Sequence, residues 1–265
     1  MESIFAIFRQ LPEAPSKFKF VGNGFFINKK GTFITVGHNF SYEGKFYITQ
    51  KINNDNLELI PIEKHHKCHK TLYEERKHYH IERDATFQRG PEYKDIAVGI
   101  VNLNNSSSFL NIEKKRSFEL DALSVSYYIR NENFDINGIY AIDGKLPNSC
   151  LDWIPPINLS LKDRKELAII PYTGFDSDSK DKYNNCLVLE GKTNKGGSGA
   201  PIINQRGNII GMLEGGNCEK NITSMILSKY MLKKAKKLHK SHFSKILQVQ
   251  FIKKQYSLKK QNTRF

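Results

Sequence analysis

The stretch FKFVGNGFFINKKGTFITVGH, residues 18–38, holds two apolar runs on either side of a polar turn and ends on a histidine. Both runs, 18–27 and 32–37, are rich in aromatic and β-branched residues, which favour extended strands. Asparagine, lysine and glycine at 28–31 separate the two runs, as expected for a turn. The stretch therefore predicts two consecutive β-strands, with His38 at the end of the second.

Runs of the same kind fill most of the chain. A first group of about six strands is completed by further runs at 3–8, 45–52, 57–62 and 95–103. A polar stretch at 104–108 is the best candidate for a linker. The second group comprises the runs 123–129, 136–142, 166–172, 186–191, 201–204, 208–215 and 222–227. Many short strands at regular spacing indicate a barrel or a sandwich, and two groups of about six indicate two barrels.

The pattern becomes helical at Ser228. Met231, Ala235 and Leu238 recur at the spacing of one helix face, which predicts a helix over 228–240. A second amphipathic helix would be built on later apolar residues: Phe243, Ile246, Leu247 and Phe251.

Redox state and location are inferred from the cysteines and the N-terminus. The cysteines are widely spaced and form no C-x-x-C pair: Cys68, Cys150, Cys186 and Cys218. A disulfide scaffold would need more of them and an oxidising compartment. Glu2 and Arg9 make the start of the chain a poor secretory signal, and no stretch approaches the roughly 20 apolar residues that span a bilayer. We therefore expect free thiols, no membrane span and a cytoplasmic location.

The net charge of +14 is concentrated at one end of the chain. Residues 220–264 contain 13 Lys and Arg and no acid, whereas the rest of the chain carries 28 basic and 27 acidic residues. A closing helix with a solvated lysine face explains 228–240. Binding of nucleic acid or another polyanion through 229–264 is an alternative, because clustered lysines release counterions from phosphates. Docking of a regulatory protein on 242–265 and a surface-lying membrane helix are further alternatives.

Ser198 lies in the motif GGSGAP, immediately before the apolar run at 201–204. A serine hydroxyl is a poor nucleophile unless a base removes its proton during attack. Glycines on both sides permit a tight backbone that exposes the side chain and turns amides toward a developing oxyanion. The N–H groups of Gly196 and Ser198 are the expected donors. The alternative interpretation is a simple glycine–serine turn before a strand.

His38 and Asp95 are the candidate partners of this serine. A histidine at a strand end can act as a general base, since its unperturbed pKa is roughly 6.5. An acid at the head of the apolar run DIAVGIV needs a partner, and an imidazole would supply one. Taken singly, the histidine is more often a surface residue and the aspartate a turn or cap residue.

Together the motifs resemble those of chymotrypsin-like serine proteases. GNGFFI followed by TVGH resembles their G-x-G-F-x-I and T-x-x-H signature, KDIAVGIV their D-I-A-L strand, and NKGGSGAPIIN their G-x-S-G-x-P segment. The order His, Asp, Ser agrees, at separations of 57 and then 103 residues. The resemblance covers about residues 3–240.

This resemblance implies an all-β protease domain at 1–240, made of two antiparallel six-stranded barrels. The barrels would occupy about 1–104 and 109–227, with a closing helix at 228–240 and a basic extension at 241–265.

The implied activity is that of a serine endopeptidase acting on a polypeptide substrate. Ser198 would form the acyl-enzyme, His38 would act as general base, and Asp95 would orient the histidine. Gly196 and Ser198 would form the oxyanion hole, and neither a cofactor nor a metal is expected. The alternative function is a catalytically idle protease fold that binds a partner or nucleic acid through its basic tail.

Two departures from the family's motifs indicate which members of the family the chain resembles more closely. Asn39 follows the histidine where digestive and clotting members carry a cysteine. Gly197 stands where those members carry the aspartate that captures a new N-terminus. The chain therefore resembles HtrA-like and other bacterial trypsin-like peptidases more closely, without their PDZ module. We expect control by loop ordering or a partner, and a regulated role in bacterial stress or defence is a hypothesis that follows.

Substrate preference stays open at this point. By the resemblance, Glu214, Gly215 and Gly216 lie on the strand that pairs with an extended substrate and wall the primary pocket. Lys192 falls near the base of that pocket in some members. The lysine would favour an acidic substrate side chain and the glutamate a basic one, so the two residues predict opposite preferences.

Histidines cluster before the Asp95 strand. HHKCH at 65–69 and HYH at 78–80 place five of the eight histidines and one cysteine within 16 residues. Such groups can bind zinc, but the spacing matches no closed zinc motif. The main interpretation of 65–80 is a solvated charged loop.

Overall fold

A computed structural model describes residues 3–51, 55–67, 95–103, 108–113, 121–129, 138–161, 186–191, 196–217, 222–233 and 236. These residues form antiparallel β-sheets with a short helix near the end. The described residues confirm the predicted all-β fold of two six-stranded barrels.

The first barrel closes because β1 pairs with both β4 and β2. Its strands are β1 (Ile4–Leu11), β2 (Ala14–Phe26), β3 (Thr32–Thr35), β4 (Phe46–Lys51), β5 (Asn56–Lys67) and β6 (Ala97–Val101). They pair in the order β1-β4-β5-β6-β3-β2 and return to β1. The stretch that opens with FKFVGNGFF therefore forms most of β2 and all of β3, which pair with each other and lead directly to His38.

The first five residues of β1, Ile4–Phe8, are apolar without interruption because both faces of this part of the strand are buried. Phe5 and Ile7 point into the barrel, where they pack with the rings of the other strands. Ala6 and Phe8 point outward and are nevertheless covered, since they pack against Leu146 and other residues that lie outside the barrel. Burial on both faces removes the usual alternation of apolar and polar residues.

The second barrel contains β7 (Asp121–Ile129), β10 (Leu151–Leu161), β11 (Cys186–Glu190), β12 (Pro201–Asn204), β13 (Ile209–Asn217) and β14 (Ile222–Leu227). It is closed in the order β10-β11-β14-β13-β12-β7. The sequence does not predict strand β10, because Pro155 and Pro156 obscure its apolar pattern. In the structure these prolines lie at the register shift between Ile154 and Ile157, where a missing N–H does not interrupt the ladder.

Two short strands between the barrels belong to the first sheet. Strand β8 (Ile139–Tyr140) pairs with β2, and β9 (Lys145–Pro147) pairs with β5. The sequence pattern predicts that the run 136–142 belongs to the second series of strands, and that prediction is wrong for the described residues 138–142. The reason is the buried outer face of the first barrel, which Ile139 and Leu146 cover.

An apolar cluster joins the two barrels and the C-terminal helix. Ile34 and Val36 of the first barrel pack with Met212 and Ile226 of the second. Met231, in the helix that begins at 228, is fully buried in the same cluster. Burying several large apolar side chains, each worth roughly 1.5–3 kcal/mol, holds the two barrels together.

Several predictions from the sequence lie outside the described residues. These are the run 166–172, most of the linker 104–108, most of the later half of the helix 228–240, and the extension 241–265. The division into domains stays a prediction. Cys150 is a buried free thiol. Among the described residues, no helix is both long and apolar enough to cross a membrane.

The Phe33 ring depends on the absence of a side chain at Gly99. The two residues pair across β3 and β6, and a Cβ at Gly99 would overlap the fully buried ring. We expect Gly99→Ala to lower the free energy of unfolding by about 1–3 kcal/mol, because the ring has no space to move aside. Denaturant unfolding of the purified variant measures the loss.

A double-mutant cycle with Phe33→Leu provides the control. The smaller side chain should accommodate the new methyl group, so the two substitutions together should cost less than the sum of their separate losses. Strictly additive losses would show that the ring and the glycine are not coupled in this way.

Candidate active site

His38 and Asp95 are brought together by adjacent strands. β3 pairs with β6, with Thr35 opposite Ala97, so the residues that follow β3 meet the residues that precede β6. His38 lies in a 3₁₀ turn at Gly37–Phe40. Its backbone N–H donates to Asp95 Oδ1 at 2.8 Å, and its ring Nδ1 lies 2.5 Å from Asp95 Oδ2. The carboxylate thus contacts both the backbone and the ring of the histidine.

The two side chains of this pair differ in their exposure to solvent. Asp95 is 3% exposed, whereas the His38 side chain is 15% exposed. A buried carboxylate that accepts from Nδ1–H selects the tautomer in which Nε2 carries the lone pair. The pair can therefore present an acceptor nitrogen on the exposed side of the ring. Gly37 permits the close approach, since a Cβ there would lie 2.9 Å from Asp95 Oδ1.

Ser198 lies in a glycine turn that leads into β12. Gly196 and Gly199 have φ angles of 91° and 86°, in the left-handed region that glycine adopts without strain. Gly199 also packs against the Asn23 carbonyl so closely that a Cβ would overlap it. The Ser198 hydroxyl donates to the backbone carbonyl of Glu214 at 3.2 Å. In the described part of the chain, no hydrogen bond joins this hydroxyl to His38.

Two asparagines of the first barrel hold the serine turn of the second. Asn23 donates its backbone N–H to the Ser198 carbonyl at 2.8 Å and its side-chain amide to the Gly196 carbonyl at 2.9 Å. Asn39 donates to Thr35 Oγ1 at 2.9 Å and lies 3.4 Å from the Ser198 carbonyl. We call these two residues the asparagine brace. The brace fixes the serine turn relative to the strand that ends in His38.

The role of the brace is not predicted from the sequence. There Asn39 stands out only as a residue in place of a cysteine, and Asn23 only as part of a glycine motif. A signal was present in the sequence, because Asn23 lies within one motif that resembles those of proteases and Asn39 directly follows the next. Their shared contact with Ser198 is not visible in the sequence, since they reach it from a different barrel.

Glu214 differs from the expectation of a pocket wall. Its side chain is 2% exposed, and one of its carboxylate oxygens lies within 4.8 Å of ligand atoms of both His38 and Asp95. The carboxylate therefore faces the histidine–aspartate pair. The part that Glu214 takes in substrate preference stays a prediction.

The backbone that follows Glu214 suits an extended partner. Gly215 and Gly216 pair with Ser224 and Thr223 of β14 on one side. On the other side β12 pairs with β13 only up to Met212, within the described residues. Lys192, the other predicted specificity residue, lies outside the described residues.

The predicted histidine cluster is only partly described. His65 is on β5, where its ring stacks on Phe40 at 4.1 Å between centroids and contacts the edge of Phe46. This histidine therefore packs against aromatic rings, while residues 68–80 lie outside the described residues.

Among the described residues, one cluster of side chains has the composition of a possible cation site. His38, Asp95 and Glu214 form the one group of potential ligands found there. The 2.5 Å approach of His38 Nδ1 to Asp95 Oδ2 is that of hydrogen-bond partners rather than of two ligands around one ion.

Comparisons with known proteins agree with this architecture. No protein-family model matches the chain, and no curated protein matches it in sequence. A solved structure does match: the active form of the Rv3671c protease from M. tuberculosis, with a TM-score of 0.51 and 12% identity. The match covers 87% of this chain and 78% of that one. The chain has a chymotrypsin-like fold. At this identity the similarity shows the fold alone.

The asparagine brace gives a stability prediction. Asn39→Ala removes an amide that contacts Asn23, Thr35 and Ser198, and we expect the free energy of unfolding to fall by about 1–3 kcal/mol. Asn102→Ala is the matched control, because Asn102 is exposed and should change stability by less than about 0.5 kcal/mol. Denaturant unfolding of both variants tests the brace, and equal small losses would show that it contributes nothing.

Proposed function

We propose that the chain is a serine endopeptidase in which Ser198 attacks the scissile carbonyl, His38 is the general base and Asp95 orients the histidine. The observation that carries this proposal is the buried Asp95 carboxylate, which accepts from both the N–H and the ring Nδ1 of His38. A carboxylate in that position is what a histidine base requires. The similar fold of a known protease supports the proposal without establishing activity.

The reaction proceeds in two halves. Ser198 Oγ bonds to the carbonyl carbon of the substrate while its proton moves to His38 Nε2. The tetrahedral intermediate collapses, the C–N bond breaks, and the amine leaves with that proton, so that an ester remains on Ser198. A water molecule then attacks the ester while one of its protons moves to His38. The bond between the acyl carbon and Ser198 Oγ breaks, that proton passes to Oγ, and the acid is released.

Two backbone amides are candidates for stabilising the oxyanion. Within the described part of the chain, the N–H groups of Gly196 and Ser198 donate no hydrogen bond. The asparagine brace holds the adjoining carbonyls of Gly196 and Ser198, which fixes the orientation of this turn. Amides held in advance at the site of developing charge lower the barrier, typically by about 2.7–4 kcal/mol per donor.

The serine must change its partner before attack. Its hydroxyl rests on the Glu214 carbonyl, and rotation about the Cα–Cβ bond would release it toward His38. A rotation between staggered positions is a small step, and catalytic contacts commonly shorten only when substrate is present.

An extended peptide is the proposed substrate conformation. Gly215 and Gly216 offer a strand edge without a bulky side chain beside the candidate nucleophile. A peptide that added to this edge would gain backbone hydrogen bonds, as in other cases of strand addition.

Covalent labelling by a fluorophosphonate tests the proposal. We expect Ser198→Ala to abolish labelling because the nucleophilic oxygen is removed, and Asp95→Asn to slow it by about 10⁴ because the tautomer of His38 is lost. Ser149→Ala is the matched control, since Ser149 is exposed and belongs to the 3₁₀ turn before β10. Labelling that persists undiminished in Ser198→Ala would contradict the proposed nucleophile.

A second proposal concerns the basic tail. We propose that it binds a polyanion, since residues 220–264 contain 13 basic residues and no acid. A tail of this charge would bind by releasing counterions, so affinity should fall steeply with salt. A regulated role in bacterial stress or defence remains a hypothesis from sequence alone.

Deletion of residues 244–265 tests this role. The truncated protein should still fold and react with a fluorophosphonate, whereas its affinity for RNA and DNA should decrease. Binding titrations at two or more salt concentrations, with thermal melting of both forms, provide the comparison. Binding that does not change with salt would contradict polyanion binding by the tail and would favour an apolar docking face. A truncated form that is insoluble would place the segment in the folded core.

A further inference from the structure

Glu214 approaches every member of the proposed triad. Its backbone carbonyl accepts from the Ser198 hydroxyl at 3.2 Å. Its carboxylate lies within 4.8 Å of His38 and Asp95. These contacts arise at a β-bulge, because the pairing of β13 with β14 shifts between Leu213 and Gly215. A bulge turns a side chain away from the direction that strand alternation would give it.

The bulge brings a second acid to a buried pair. Glu214 is 2% exposed and Asp95 is 3% exposed. Burial disfavours the ionised form of both carboxyl groups. Asp95 accepts two hydrogen bonds from His38, which favour its ionised form, whereas the negative charge of Asp95 within 4.8 Å further disfavours ionisation of Glu214. This conflict is relieved when the pair holds one proton rather than none, as pairs of neighbouring acids in some enzymes do.

The three titratable groups come from separate elements. His38 lies after β3, Asp95 precedes β6, and Glu214 lies on β13. With one negative charge on the trio, the extra proton has two places to reside. It can stay on the acid pair, or it can move to His38 and leave both acids ionised. In the second arrangement Nε2 carries a proton and cannot accept one from Ser198.

We propose that Glu214 is a positioning residue whose carboxyl group shares a single proton with Asp95 at neutral pH, so that the acid pair presents one negative charge, not two, to the ring of His38. The part of this inference that concerns catalysis rests on the proposed function. The part that concerns the proton does not, because it follows from the burial and proximity of the two acids. Glu214 acts through Asp95 and His38 and does not touch the reacting atoms with its side chain.

Infrared spectroscopy of the full-length protein at neutral pH detects the shared proton. A buried protonated carboxyl group has a carbonyl-stretch band that is separate from the bands of ionised carboxylates. We expect this band in the wild-type protein and its loss in Glu214→Gln. Glu13→Gln is the matched control and should leave the band unchanged, because Glu13 is exposed. A wild-type spectrum without a band that depends on Glu214 would overturn the proposal.

Asp95→Asn provides a second measurement that leaves Glu214 in place. Once its neighbour is neutral, Glu214 loses the charge repulsion that retains the proton, so the band should weaken in this variant. A band that keeps its full intensity would show that Asp95 does not hold the proton on Glu214. This measurement still tests the proposal if a Glu214 variant does not fold.

The rate of fluorophosphonate labelling distinguishes a positioning role of Glu214 from a role in packing alone. Glu214→Ala should slow fluorophosphonate labelling by about ten- to a hundredfold, because the acid pair loses its orientation. Glu214→Gln keeps the shape and a hydrogen-bond donor, so it should recover most of the lost rate. Equal slowing in both variants would contradict the positioning role. If wild-type protein does not label while the infrared band is present, the proposed function fails and the shared proton stands.

Discussion

The apolar cluster between the two barrels is the constraint on which the candidate site depends. Ile34, Val36, Met212 and Ile226 bury their side chains against one another from opposite barrels, and Met231 of the C-terminal helix closes the cluster. Two residues of this cluster lie close in sequence to residues of the candidate site: Val36 leads to His38, and Met212 leads to Glu214. A change in its packing would therefore alter the separation between histidine and serine, since dense cores transmit small displacements.

Polar contacts set the orientation of the serine turn and of the His38 ring, which apolar packing alone does not determine. The asparagine brace holds two carbonyls of the serine turn, and the Asp95 carboxylate holds His38 at two points. Hydrogen bonds are directional, so they determine which way a ring or an amide faces, whereas apolar burial determines mainly how close the elements lie. The buried Glu214 adds an electrostatic condition, since its charge state affects the base that the other contacts position.

Much of the fold follows from local patterns in the sequence. Runs of aromatic and β-branched residues predict most of the strands, and Ser228 marks the change to a helix. Strand β10 is obscured because Pro155 and Pro156 interrupt its pattern, although the ladder tolerates them at a register shift. The run 136–142 is misgrouped because its pattern shows that Ile139 is buried but not which barrel covers it. Order along the chain is a weak guide to pairing when a segment returns to an earlier sheet.

The sequence by itself determined the all-β class, the two groups of strands, and three candidate residues whose motifs each combine a chemical group with the glycines it requires. Only the tertiary structure decided that Asn23 and Asn39 meet the turn of Ser198, because residues of separate barrels come together through packing rather than through local pattern. It also decided the direction of Glu214. Alternation along a strand assigns a side chain to one face or the other, but a bulge inserts one residue and reverses that assignment. Pairing with β14 creates this bulge, so the placement of the acid beside His38 and Asp95 is a property of the assembled barrels.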